Sequence, residues 1–459
     1  MASFDRVLHG DIVLQDHVLE DGYIAIGNGR IAAIGKGQPI AAKATEDYRG
    51  CLLFPGLVDA QIHAGSVEGF NGLQDATRAA TAGGVTTVID MPFDEPSPVN
   101  SIELFKQKVE AIARCAVVDV GLYVTARKDG NYKVLRDLVR EGAASIKLST
   151  YEYHPVRFPR FTTGEMFEIF LVAAELGVPV AFHNEDQELV SRLMARASEA
   201  GKTGMAVHGA GRAPIAELVA DAQILELAAG TGVRCHIVHS TVAAGNRIAR
   251  HYRERGAKIT VETCVHYFMF NEEDALRQGA FLKLNPPIRA EHERRELWNS
   301  LARGEIDLVS TDHVAWPLSR KNAPDMAKNG SGIPGLETLL PAFYTGAVVA
   351  HGHAPMLVAR HTAENPAKHF GLYPRKGRIA IGADADIAVF KREERVFRAS
   401  AMTSSVKWSP FDGMKMAGFV RATFVRGRKV FENGEVLADA GFGQFVRPDP
   451  SVAETREPR

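Results

Sequence analysis

Five residues of metal-ligand or acid–base type, His63, Lys147, His183, His239 and Asp312, each fall at the end of a short run rich in β-branched residues. A random scatter of 16 histidines over 459 residues would not favour such places. If those runs are neighbouring parallel strands, their carboxyl ends converge. Imidazole, carboxylate and amine groups then meet at one point suited to a divalent cation. Any one histidine alone reads as a surface or hydrogen-bonded structural residue, whereas the five together point to a metal centre. Lys147 carries a further implication. An ammonium at the buried end of a strand is costly unless paired, and burial depresses its pKa. The neutral amine can react with carbon dioxide to give a carbamate, an anionic oxygen ligand able to bridge two cations. The plainer alternative is a lysine paired with Asp312 or Glu262.

The elements that must position these residues follow from the hydrophobic pattern. From about Leu57 to Asp312 short β-branched runs alternate with longer stretches of helical periodicity, the pattern of strand–helix units around a parallel sheet. The runs are 57–63, 86–90, 118–124, 145–148, 178–183, 235–239, 258–263 and 307–312. Eight such units predict an α/β chain built as a closed (β/α)8 TIM barrel, with its active site at the carboxyl ends of the strands. Residues 6–35 instead alternate as strands punctuated by Gly22, Gly27, Gly29 and Gly35, and the pattern returns at 387–390 and 422–431. The two ends are expected to join in one small β-sandwich domain. The expected division is 1–53 and 366–445 for that domain, 54–365 for the barrel, and 446–459 as a polar tail.

Composition narrows the function. With 46% hydrophobic residues the chain can bury a large core. Its 54 Lys and Arg against 55 Asp and Glu leave no cationic excess for a phosphate backbone, so nucleic acid is not an expected partner. The four cysteines, none in a C-x-x-C pair, form neither a disulfide framework nor a thiolate zinc knuckle and fit a reducing compartment. The start lacks the apolar run of a signal peptide, and the most apolar stretch, 336–350, is short and broken by Pro341 and Gly346. These features predict a cytoplasmic protein with no membrane partner.

The motifs then resemble a known family. Phe54-Pro55-Gly56-Leu57-Val58-Asp59, followed by His63 and by Ala82 to Pro92, resembles the cyclic-amide branch of the amidohydrolase superfamily: allantoinases, dihydropyrimidinases (hydantoinases) and dihydroorotases. The likeness continues through Ser145-Ile146-Lys147, His183-Asn184-Glu185, Val238-His239-Ser240, 262–267, 285–289, 310–313, 335–337, 365–367 and 382–386. It implies a metal site in which His63 and Asp312 hold one ion, His183 and His239 a second, and a carboxylated Lys147 bridges. Asp312 would act as the proton shuttle. Where the family's first histidine belongs, this chain has Gln61, a weaker and harder ligand. The expectation is therefore one tightly held divalent ion, zinc by its donor set, on His183, His239 and Lys147, with a looser second site.

Other positions bear on the substrate. Dihydroorotases carry an arginine two residues after the metal-binding pair, but Ala64-Gly65-Ser66 follows His63 here, which argues against a carboxylate-bearing substrate. Asn285 lies in what resembles the family's substrate loop and can hydrogen-bond an imide or ureide edge. Tyr151 or Tyr153 is the candidate oxyanion donor, with a packing role as the alternative. His266 and His313 fall inside family motifs near the mouth, as candidates to contact substrate or orient ligands. Gly330 to Gly335 spells G-x-G-x-x-G but follows a polar run and contains Pro334, so it reads as an active-site loop with Gly332 at the substrate. His351-Gly352-His353 reads as structural. The resemblance implies a hydrolase opening the C–N bond of a neutral cyclic amide, imide or ureide, most like allantoinase, working as a homodimer or homotetramer. Rival readings are a non-catalytic relative using the same fold as a scaffold, and a deaminase, a branch that usually lacks the ligating lysine.

Overall fold

The structure, a computed structural model, describes residues 4–37 and 41–449. Eight parallel strands, Leu57–Ile62, Val85–Asp90, Asp119–Val124, Ser145–Ser149, Pro179–His183, Arg234–Ile237, Ile259–Cys264 and Leu308–Ser310, pair in sequence order. The ring closes where Ile62 pairs with His313 and the His63 N–H donates to the His313 carbonyl at 2.8 Å. Nearly every strand residue is buried, because helices cover the outside and side chains fill the inside, so the strands read as continuous apolar runs. The sixth and eighth strands stop short of His239 and Asp312. Both residues have left-handed backbone, φ 41° and 48°, which ends the ladder and turns each side chain out of the strand's alternation. Several surrounding helices open on side-chain caps: Ser101 accepts from Leu104 N, Thr162 and Glu165 form a reciprocal capping box, and Asp186 accepts from Leu189 N.

The two ends of the chain meet as expected. Strands Phe4–Val13, Val18–Gly27, Arg30–Lys36 and Ala42–Pro55 form one eight-stranded mixed sheet with Ile387–Lys391, Phe419–Val425, Arg428–Glu432 and Glu435–Val436. The halves join where Ala42–Pro55 runs antiparallel to Ile387–Lys391. Leu8, Ile24, Leu53, Ile387, Val389 and Phe424 form a core of its own, separate from the barrel's. The chain after 365 does more than complete this sheet. Ala367, Phe370 and Leu372 pack with Val58, Ile89, Tyr123, Ala181 and Val238 inside the barrel and plug it. The expected polar tail begins with Val446, buried and hydrogen-bonded to Val120, and Asp449 N donates to Gly371 O at 2.8 Å. Residues 450–459 of that tail lie outside the described residues.

Candidate active site

The strand ends bring the expected residues together in two groups. In the first, Asp312 Oδ1 accepts from Gln61 Nε2 at 2.7 Å and lies 3.2 Å from His63 Nε2. In the second, His183 Nδ1 and His239 Nε2 are 3.0 Å apart. Lys147 is 1% exposed and its Nζ has no hydrogen-bond partner among the described residues; His239 Nδ1 is likewise buried and unpartnered. Burial lowers the Lys147 pKa to about 7, against the opposing pull of Asp312 and Glu262. Burial also holds His183 below the ordinary imidazole value and His239 well below it, so both present neutral rings. Burial works to raise the Asp312 pKa, but the hydrogen bond and charge of His63 prevail and hold it low.

The tautomer of His183 is set from behind. Its Nε2 lies 2.9 Å from Glu185 Oε2, and Glu185 is in turn ion-paired to buried Arg212. The Nε2 proton therefore points at Glu185 and the Nδ1 lone pair points into the site. Arg212 also lies over the Tyr151 ring at 4.4 Å. Glu185 stands inside a motif read from the sequence, but its role and that of Arg212 were not, because Arg212 lies 27 residues on and carries no local signal.

The remaining candidates sort by contact. Tyr151 packs on Tyr153 at 5.0 Å, and it is Tyr153 whose ring meets His183, at 5.2 Å. Phe93 and Phe158 complete an aromatic wall: Phe93 stacks toward His63 and Phe158 lies 5.9 Å from His183. His266 is fully buried with neither ring nitrogen hydrogen-bonded among the described residues, and burial depresses its pKa to about 4. His313 Nδ1 accepts from Gly335 N at 3.1 Å, so one edge of that ring holds the following loop while Nε2 has no partner among the described residues. Asn285 Nδ2 donates to Ser331 Oγ at 2.9 Å, and its Oδ1 has no partner among the described residues. Gly332, next to Ser331, has φ 115°, and a Cβ there would meet Val314 at 2.7 Å. The Lys321 ammonium holds this loop by donating to the carbonyls of Gly330 and Gly332, both at 2.8 Å.

Among the described residues, the only three acidic, histidine or cysteine ligand atoms within 4.8 Å of one another belong to Asp119, Asp384 and Asp386. Lys376 already occupies that cluster, 2.5, 3.1 and 2.7 Å from the three carboxylates, so it is an ion pair joining barrel and small domain.

The model of the amidohydrolase family matches residues 52–430. The chain belongs to the amidohydrolase family. The allantoinase of Rubrobacter xylanophilus is 33% identical over 457 residues, covering 99% of this chain and 100% of that protein. The L-hydantoinase of Paenarthrobacter aurescens is 31% identical, covering 96% and 98%. The solved structure of L-hydantoinase (dihydropyrimidinase) from Arthrobacter aurescens matches with a TM-score of 0.92 at 32% identity, over 97% of this chain and 100% of that one. The family read from the motifs and the barrel read from eight strand–helix units both hold.

Proposed function

We propose that this chain hydrolyses the C–N bond of a neutral cyclic amide, imide or ureide, as its allantoinase and hydantoinase relatives are named for doing, with a divalent cation held by His183, His239 and Lys147. The observation that supports the reading is the approach of two imidazole nitrogens, His183 Nδ1 and His239 Nε2, to 3.0 Å with the His183 proton held on the far side by Glu185, together with the buried Lys147 Nζ, which has no hydrogen-bond partner among the described residues. A buried polar atom without a partner is expensive, and an ion is one of the groups that relieves it. A cation bound there, zinc by its nitrogen-rich donors, supplies Lewis-acid activation of the carbonyl and of water. Lys147, its amine neutralised by burial, adds to carbon dioxide through nitrogen and releases a proton, leaving a carbamate as an anionic donor. Asp312 takes the proton of the attacking water and returns it to the ring nitrogen as the C–N bond breaks.

A neutral substrate fits the arginines around the site, each of which already pairs with a carboxylate. Arg212 pairs with Glu185, Arg289 with Glu217, and Arg157 with Glu95. The test is a screen of allantoin, hydantoin, dihydrouracil and dihydroorotate before and after stripping with a zinc chelator. Turnover of one of the first three, lost on stripping and restored by zinc, is expected; inertness toward all three overturns the reading.

The setting we infer is a cytoplasmic homodimer or homotetramer. Phe167 and Leu171 on helix Thr163–Leu176, with Ile215 and Val219 on the adjoining helix Pro214–Thr231, form an exposed apolar stripe suited to a second copy of the chain. No helix among the described residues is long and apolar enough to cross a membrane.

A further inference from the structure

Gln61 stands where the resemblance calls for a histidine ligand, and its surroundings assign it another use. The side chain is 1% exposed, and its Nε2 donates to Asp312 Oδ1. A carboxylate only accepts, so the amide nitrogen must face Asp312 and Oε1 must point away from it. Oε1 is buried and has no hydrogen-bond partner among the described residues. His63 Nε2 approaches the same Asp312 oxygen, and an imidazole nitrogen bonded to a carboxylate carries the proton rather than a free lone pair. Gln61 turns its amide N–H to Asp312 and His63 brings Nε2 to the same oxygen at 3.2 Å, where a cation would need three lone pairs turned to one point. The contrast with the second group is direct. There the fully buried atoms without a partner among the described residues are nitrogens, whereas here the fully buried one is a neutral amide oxygen.

We propose that Gln61 Oε1 accepts the ring N–H of the cyclic amide beside the scissile bond, and that this chain works with one tightly held cation rather than two. The proposal rests on the cyclic-amide reading above. An unsubstituted lactam, imide or ureide ring presents such an N–H, and Gln61 then spans two groups that must cooperate. Its oxygen holds the ring nitrogen while its nitrogen holds Asp312, the carboxylate that delivers a proton to that nitrogen on cleavage. Water adds its hydroxyl to the carbonyl carbon, the C–N bond breaks, and the water's second proton reaches the nitrogen through Asp312. Gln61 is in this sense a specificity-determining residue that selects for an unsubstituted ring nitrogen.

The test compares wild type with Gln61→Met and Gln61→His on hydantoin, 1-methylhydantoin and 3-methylhydantoin. In the wild type, methylating the nitrogen that meets Gln61 lowers kcat/KM roughly tenfold, the scale of one neutral hydrogen bond. Gln61→Met shows the same loss on hydantoin and no further loss on that methylated compound. Zinc per chain after identical dialysis stays at one in wild type and Gln61→Met and rises toward two in Gln61→His. Equal losses on parent and methylated rings, loss of zinc in Gln61→Met, or two tight zinc ions in wild type would overturn the proposal. Gln61→Leu serves if Gln61→Met does not fold. If wild type hydrolyses none of these rings, the hydrolase reading fails, and calorimetric binding of hydantoin then decides the role of Gln61. Weaker binding by Gln61→Met than by wild type supports the acceptor, and equal or absent binding overturns it.

Discussion

A lysine amine buried without a partner, as at Lys147, is tolerated only if it sheds its charge or gains an anion. The carbamate reading uses both facts. Lys147→Ala should therefore lose bound zinc and activity together, with partial rescue by a short-chain carboxylic acid; metal analysis showing unchanged zinc would end the ligand role. Asp312 is held differently, hydrogen-bonded to Gln61 and 3.2 Å from His63 Nε2. Asp312→Asn should keep its zinc and its fold while kcat falls by ~10²–10⁴-fold, the usual worth of a general acid–base. Wild-type turnover by zinc-loaded Asp312→Asn would refute the shuttle.

Loops at the mouth are held by cations that grip carbonyls, and this sets what each element contributes. Arg157, in the segment after the fourth strand, donates to Glu95 Oε1 at 2.8 Å and to the carbonyls of Ser66 and Phe93 at 3.2 and 3.1 Å. It ties that segment to the loops following the first and second strands, and so keeps Phe158 against Phe93, with centroids 3.7 Å apart. Half-exposed pairs of this kind add little to global stability, so the effect of losing one is local. Arg157→Ala should raise KM several-fold, with the melting temperature nearly unchanged and faster proteolytic cleavage within 151–161. An unaltered KM would show that the aromatic wall holds without this tether.

For the whole molecule, buried neutral histidines set the acid limit. His208 donates from Nε2 to Leu284 O at 2.7 Å, and burial, with Arg212 nearby, depresses its pKa to about 3. Burial takes His361 to about 4, against the pull of its hydrogen bond to Leu357 O. Unfolded imidazoles take their proton near 6.5, so between pH 6.5 and 4 the unfolded state binds more protons and stability falls as pH falls. Each group costs about 1.4 kcal/mol per pH unit in that window. Denaturant titration should show stability flat above pH 7 with respect to these groups and declining below 6.5, and His361→Gln should flatten the decline by about one proton. The exposed stripe on two adjoining helices operates at the same scale. Leu171→Glu with Val219→Glu should reduce the assembly to monomers by mass measurement, and an unchanged mass would place the interface elsewhere.

The barrel and its family were legible because their signals are local. A strand buried on both faces must be a short apolar run, and eight of these alternating with helical stretches leave few other architectures. The small domain was legible for the same reason, although its sequence halves lie more than 300 residues apart, since each half alternates as a strand by itself. Candidate ligands could be named because strand ends in such a barrel share one mouth. What they touch there was decided only by the tertiary structure. Gln61 could be seen to replace a histidine, but its hydrogen bond to Asp312 spans 251 residues and has no periodicity to reveal it. The same holds for Glu185 on Arg212, for Arg157 on Ser66 and Phe93, and for Phe370 plugging the barrel. Side-chain pattern records which face of an element meets the core, because that choice repeats every few residues. Which polar atom finds a partner and which is left without one is settled by chain crossings far apart in sequence, and those unpartnered atoms define the site.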